Sequence, residues 1–157
     1  MWIKLLGSVL LGVSGVLSAL SVCRFHRRRL DTLDGFISLI LYIKGQVECY
    51  ARPIGEILSE LPAEILRDCN CPMGAGSIEE MIEESRMYLD RDTLRLLLAF
   101  SGEFGSVFRE EQTKRCDHYV LSLRDRRDAA AERVGGDMRS GCAACIGLAI
   151  CVTILLW

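Results

Sequence analysis

Cysteine is the residue type here best able to do chemistry, and eight of the 157 positions carry it. Thiolates bind soft metals and exchange disulfides, but both activities need suitable spacing. Cys69-Asn-Cys71 lacks the two-residue gap of a zinc knuckle, and Cys49 and Cys116 stand alone in the chain. Cys142-Ala-Ala-Cys145 has the spacing of a redox pair, yet it opens an apolar run with no base beside it, which favours packing. Cys23, Cys142, Cys145 and Cys151 all lie in or at the edge of apolar runs, where a thiol serves as a small hydrophobe. His26 sits among arginines and His118 in a charged stretch, neither beside a nucleophile. No Gly-rich phosphate loop, H-E-x-x-H or G-x-S-x-G occurs. The expectation is a chain that is not an enzyme, with no catalytic residue, no cofactor and no metal. The competing expectation is a small membrane-anchored thiol sensor or enzyme that uses the scattered cysteines.

Two uncharged runs, Leu5 to Cys23 (19 residues) and Ser140 to Trp157 (18 residues), account for much of the positive mean hydropathy of +0.25. At 1.5 Å per residue they span about 27 to 29 Å, close to the roughly 30 Å of a bilayer core, so both are expected to be transmembrane helices. A cleaved leader would also place small residues such as Ala19 and Ser21 after an apolar run. The basic cluster Cys23 to Arg29 that follows at once favours an anchor, because such a flank stays in the cytoplasm. For the second run, a buried core helix of a soluble domain is the alternative. Arg24, Arg27, Arg28 and Arg29 after the first run, with Arg133 and Arg139 before the second, make both inner flanks positive. The expected organisation is thus a transmembrane helix over 1–23, a cytoplasmic domain over 24–139 whose thiols stay reduced, and a second transmembrane helix over 140–157.

Charge is unevenly spread: residues 30–106 hold six Lys/Arg and fourteen Asp/Glu, while residues 107–139 hold eight and seven. An acidic middle beside a basic collar does not offer phosphodiesters a contiguous positive face, so nucleic acid is not expected as a ligand. The collar suits anionic headgroups instead.

The middle of the chain reads as helices. Apolar residues at 33, 36, 40, 43, 47 and 50 predict one stripe of a helix continuous with the first run and ending near Ala51. Pro53 cannot stand inside a helix without costing roughly 3 kcal/mol, but it fits the first position of a new one. A sharp corner is therefore expected, with Glu56 in the first turn of the next helix, where a carboxylate suits the dipole. A PAEILRD segment and a loop with Pro72, Gly74 and Gly76 follow. Ser77 and Glu80 then form a capping box before the stripe Ile78, Met81, Ile82, Ser85 and Leu89. A helix is predicted around Thr93 to Phe100, and a long one from about Gly105 to Val134 with Phe108, Gln112, Cys116, Tyr119, Leu123, Ala130 and Val134 on its inward line. The fold class is all-α: a cytoplasmic antiparallel helical bundle flanked by N- and C-terminal transmembrane helices.

Two surface expectations complete the pattern. Ser8, Gly12, Gly15 and Ala19 share one side of the first span, and Gly141, Cys145 and Ala149 repeat a small-xxx-small spacing in the second, so the spans are expected to pack closely or self-associate. Glu79, Glu80, Glu83 and Glu84 crowd the outward side of one helix, a candidate face for a basic partner beside its plainer role as a solvated face.

The corner Glu48-x-Tyr50-x-x-Pro53-Ile54-x-Glu56-Ile57-Leu58 and the turn Phe100-x-x-x-Phe104-Gly105, followed by Gln112, lie in that order between two apolar runs. Together they resemble the stage III sporulation protein AB family, whose corner has the form E-I-x-Y-x-x-T-P-L-x-E-A-L and whose turn has the form F-G-x-x-L-G-x-x-D-x-x-x-Q. Ser101 stands here for the first glycine of that turn and Phe108 for its acid. The family is similar in fold to the cytoplasmic helical domain of the platform protein of type II secretion and type IV pilus systems. The resemblance implies a non-enzymatic platform subunit of the channel complex between mother cell and forespore, needed for endospore formation. It also implies a mother-cell membrane location facing the forespore, a cytosolic secretion-type ATPase and other channel-complex membrane proteins as partners, and homo-oligomers.

Overall fold

Apolar residues at three- and four-residue intervals leave a helix nowhere to bury its stripe except against other helices. The computed structural model describes the backbone of residues 2–50, 54–71, 74–103 and 109–156, and side chains over 13–50, 54–71, 74–103 and 111–134. Among these residues every regular element is helical: α1 (Trp2–Tyr50), α2 (Ile54–Ser59), α3 (Ala63–Asp68), α4 (Ile78–Ser85), one 3₁₀ turn (Arg86–Tyr88), α5 (Arg91–Glu103) and α6 (Arg109–Leu156). The chain divides into two units, Met1–Arg27 with Ala130–Trp157, and Arg28–Ala129.

In the first unit, Val13, Val16, Leu17, Leu20, Val22 and Phe25 are all exposed. A Cβ added at Gly7, Gly15 or Gly147 would meet nothing within 4 Å, so these faces stand open in the single chain. Among the described residues no helix is long and apolar enough to cross a membrane. Part of the first expected span and nearly all of the second lie outside the described side chains, including Ser8, Gly12, Gly141, Cys145 and Ala149.

The second unit holds the core. Leu33, Phe36, Ile40, Ile43 and Val47 of α1 are buried as their spacing predicts, and Ile37 and Leu39 widen the stripe into a broad face. Tyr50 is the exception at 67% exposure, because α1 ends there. Ile57 and Leu58 of α2, Ile78, Met81, Ile82 and Ser85 of α4, Leu97 and Phe100 of α5, and Cys116, Tyr119, Val120 and Leu123 of α6 close the core. Fully burying one such aliphatic or aromatic side chain contributes about 1.5–3 kcal/mol, which is why this stripe outweighs local propensity. Asp34 of α1 meets Arg127 of α6 at 3.1 Å, and Lys44 meets Asp117 at 2.6 Å. One contact advances along α1 as the other retreats along α6, so the pair is antiparallel.

Two boundaries exceed the sequence expectation. α5 starts at Arg91 and ends at Glu103, a turn longer than its apolar positions require. α6 does not stop near Val134 but continues to Leu156. Gly135 and Gly136 each cost about 1 kcal/mol relative to alanine, yet neither removes a backbone donor, so the helix is not broken.

Candidate functional site: helix junctions and charged faces

The first candidate is the corner after α1. Glu48 and Tyr50 lie at the exposed end of that helix, and Pro53 lies outside the described residues. Glu56 stands in the first turn of α2, its side chain exposed. The Glu56 carbonyl accepts from Glu60 N–H at 3.2 Å and from Ser59 Oγ at 2.8 Å, which closes the short helix. Ile57 and Leu58 bury the opposite side, and Tyr42 Oη donates to the Glu60 carbonyl at 3.4 Å. Lys44 lies 3.9 Å from Glu48 and donates to Asp117. That hydrogen bond holds the Lys44 ammonium above its usual pKa range.

The second candidate is the turn between α5 and α6. Phe104, Gly105 and Phe108 lie outside the described residues, but the groups on either side of them meet. Phe100 stacks edge-on against Tyr119 with ring centroids 5.2 Å apart. Tyr119 Oη donates to Glu103 at 3.0 Å, and Arg115 bridges Glu103 at 3.1 Å and Glu111 at 3.0 Å. Gln112 lines the same small hollow. Burial, then the Glu103 carboxylate, raises the Tyr119 phenol above its ordinary pKa. These contacts clamp two helix ends together, and none presents a group poised for a chemical step.

The third candidate is the acidic side of α4, where all four glutamates are exposed. Each also has a local role. Ser77 Oγ accepts from Glu80 N–H at 3.2 Å, while the Glu80 carboxylate accepts from Gly76 N–H at 2.8 Å, one residue before the usual capping-box partner. Glu83 pairs with Arg86 at 2.9 Å. Backbone N–H donation at the start of the helix, then Ser101, holds the Glu79 carboxyl below its usual range. Glu84 lies beside the thiol of Cys71.

The thiols divide by burial. Cys69, Cys71 and Cys116 are buried and Cys49 is exposed, all four free. Burial raises Cys69, pushes Cys71 up to about 12 and Cys116 up to about 11, so they stay protonated. A protonated thiol is a poor nucleophile. Among the described residues no group of three or more Cys, His, Asp or Glu could hold a metal ion.

One feature escaped the periodic pattern. Arg28, Asp31 and Thr32 of α1 line a polar hollow of about 210 Å³ with Arg67, Asp68 and Asn70. Asn70 has φ of 59°, a left-handed conformation that asparagine tolerates. Gly35 lets α3 approach: a Cβ there would lie 2.7 Å from the Asp68 carbonyl carbon and 2.9 Å from the Cys69 nitrogen. A glycine amid the apolar positions of α1 was the available signal.

A family model described as Stage III sporulation protein AB (spore_III_AB) matches residues 4–157. No curated protein and no solved structure matches the chain.

Proposed function

Because the chain belongs to the stage III sporulation protein AB family, and so has a role in that stage of sporulation, we propose that it is a non-enzymatic platform subunit of the mother cell–forespore channel. On this reading residues 1–23 and 140–157 are anchors in the mother-cell membrane, and the acidic middle is a cytoplasmic bundle that couples a cytosolic ATPase to the other membrane proteins of the channel. The observation that supports it is continuity of helix. Each apolar run lies in the same unbroken helix, α1 or α6, that supplies the core of the Arg28–Ala129 unit. On this reading the bundle serves the channel through its contacts, without chemistry of its own.

The ATPase is assigned to the α4 glutamates. Reversing Glu83 and Glu84 to lysine should abolish co-purification of the ATPase with the detergent-solubilised chain while leaving its helical circular dichroism unchanged. Binding that survives the reversal and ignores salt would sink this face, since exposed ion pairs weaken as the Debye length shrinks from about 10 Å at 0.1 M to about 3 Å at 1 M. Replacing all eight cysteines by Ala or Ser should preserve sporulation, whereas a thiol sensor would lose it.

A further inference from the structure

The hollow at the start of the Arg28–Ala129 unit is built, not a gap beside a loose loop. Cys69 N–H donates to the Ile65 carbonyl at 2.8 Å, Asn70 N–H to the Arg67 carbonyl at 3.0 Å and Cys71 N–H to the Leu66 carbonyl at 2.7 Å, so the chain leaving α3 is pinned. Ser85 Oγ donates to the Cys69 carbonyl from α4, and Cys69 and Cys71 are fully buried beneath it. The close approach at Gly35 sets this wall against α1. The charged ends above it are held weakly. Among the described residues, Arg28 reaches Asn70 Oδ1 at 3.4 Å, and Arg67, 73% exposed, reaches its own neighbour Asp68, also at 3.4 Å.

The lining narrows the ligand. Two arginines and two aspartates share the lining, so a bare phosphate would meet Asp31 and Asp68, and a bare ammonium would meet Arg28 and Arg67. A zwitterion satisfies both pairs. Among the described residues no aromatic ring lines the hollow, which disfavours a quaternary ammonium and favours a primary one with N–H donors. About 210 Å³ admits several waters' worth of ligand at about 30 Å³ each, yet falls short of the roughly 300 Å³ at which drug-sized pockets begin. In the sequence, Arg28 follows Cys23, the end of the expected first span, by five residues.

We propose that Arg28, Asp31, Thr32, Arg67, Asp68 and Asn70 form a binding pocket for a phosphoethanolamine group, phosphate on the arginines and ammonium on the aspartates. The lipid headgroup is the expected source. That assignment rests on the membrane-anchor reading, whereas the chemistry of the pocket does not. The test is calorimetric titration of the full chain in an uncharged maltoside detergent with dihexanoyl phosphatidylethanolamine, phosphatidylglycerol, phosphatidylcholine and free O-phosphoethanolamine. The ethanolamine lipid should bind more tightly than the other two lipids. Arg67→Gln and Asp31→Asn, both changes of exposed side chains, should each weaken it about tenfold, the loss of one hydrogen bond to a charged group. Equal binding of the three lipids, or an affinity untouched by both substitutions, overturns the proposal. Free O-phosphoethanolamine binding as tightly as the lipid would make a soluble ligand the source. An alkaline wash of membranes separates the two readings. A chain that stays in the membrane but ignores phosphoethanolamine refutes the pocket alone. A chain that washes off refutes the anchor, and the free-ligand arm then decides the pocket.

Discussion

At the scale of single residues, two glycines of α1 separate packing from propensity. A methyl group at Gly35 would strike the backbone of Asp68 and Cys69, and backbone cannot swing aside as a long side chain can. Gly35→Ala should therefore destabilise by about 1–3 kcal/mol. At Gly45 nothing lies within 4 Å, so Gly45→Ala should stabilise by about 0.5–1 kcal/mol through the unfolded chain's lost freedom. Urea unfolding of the full chain in detergent checks both, and the same sign at the two positions would refute the close approach. The buried thiols set a second residue-level expectation. Cys116 titrates near 8.5 when unfolded but is pushed up to about 11 in the fold, chiefly by burial. Between those values the folded chain retains a proton that the unfolded chain has lost, so this contribution is full below about 8.5 and fades as pH rises towards about 11. Cys116→Ala should flatten the alkaline fall in stability, and equal slopes in mutant and parent would count against it.

At the scale of elements, short helices depend on their ends. α4 has only eight residues, and isolated helices of that length are unstable in water, so capping and the buried Ile78, Met81, Ile82 and Ser85 must hold it. Ser77→Ala removes the side-chain acceptor for Glu80 N–H and should cost about 0.5–2 kcal/mol, whereas Ser77→Asp should keep most of the stability. Thermal melts followed at 222 nm would separate the two, and an unchanged midpoint in Ser77→Ala would show that burial alone holds the helix. The ion pairs between α1 and α6 do less. Asp34 and Arg127 are 48% and 40% exposed, and pairs of that kind contribute about 0.2–1 kcal/mol, enough to favour one register but not to drive the association.

At the scale of the whole molecule, the anchors and their assembly belong to the proposed platform. The run Val13, Val16, Leu17, Leu20 and Val22 is 49–61% exposed in the single chain, as a lipid-facing helix would be. Gly15 and Ala19 stand on a face where a second helix could approach, and small residues are what close backbone approach requires. Gly12→Leu with Gly15→Leu should reduce self-association in a membrane two-hybrid assay. An unchanged signal would remove that face from any homo-oligomer.

The sequence by itself determined what is local. The three-four spacing along α1 named Leu33, Phe36, Ile40, Ile43 and Val47 as its buried side, and Ser77 with Glu80 marked the start of α4, because a helix exposes its period and its caps within one or two turns of chain. The same patterns, with the corner and turn motifs, sufficed for the family. Only the tertiary structure decided what depends on distant partners. Gly35 looked no different from Gly45 until the backbone of Asp68 and Cys69 left no room for a Cβ there. Tyr50 continued the stripe in sequence yet lies in solvent at the helix end. Arg28 and Arg67 come from segments 39 residues apart, and Asp34 and Arg127 from segments 93 apart. Periodicity says which face is buried, but which residue it meets is settled only when loop closure and packing select one arrangement of the helices.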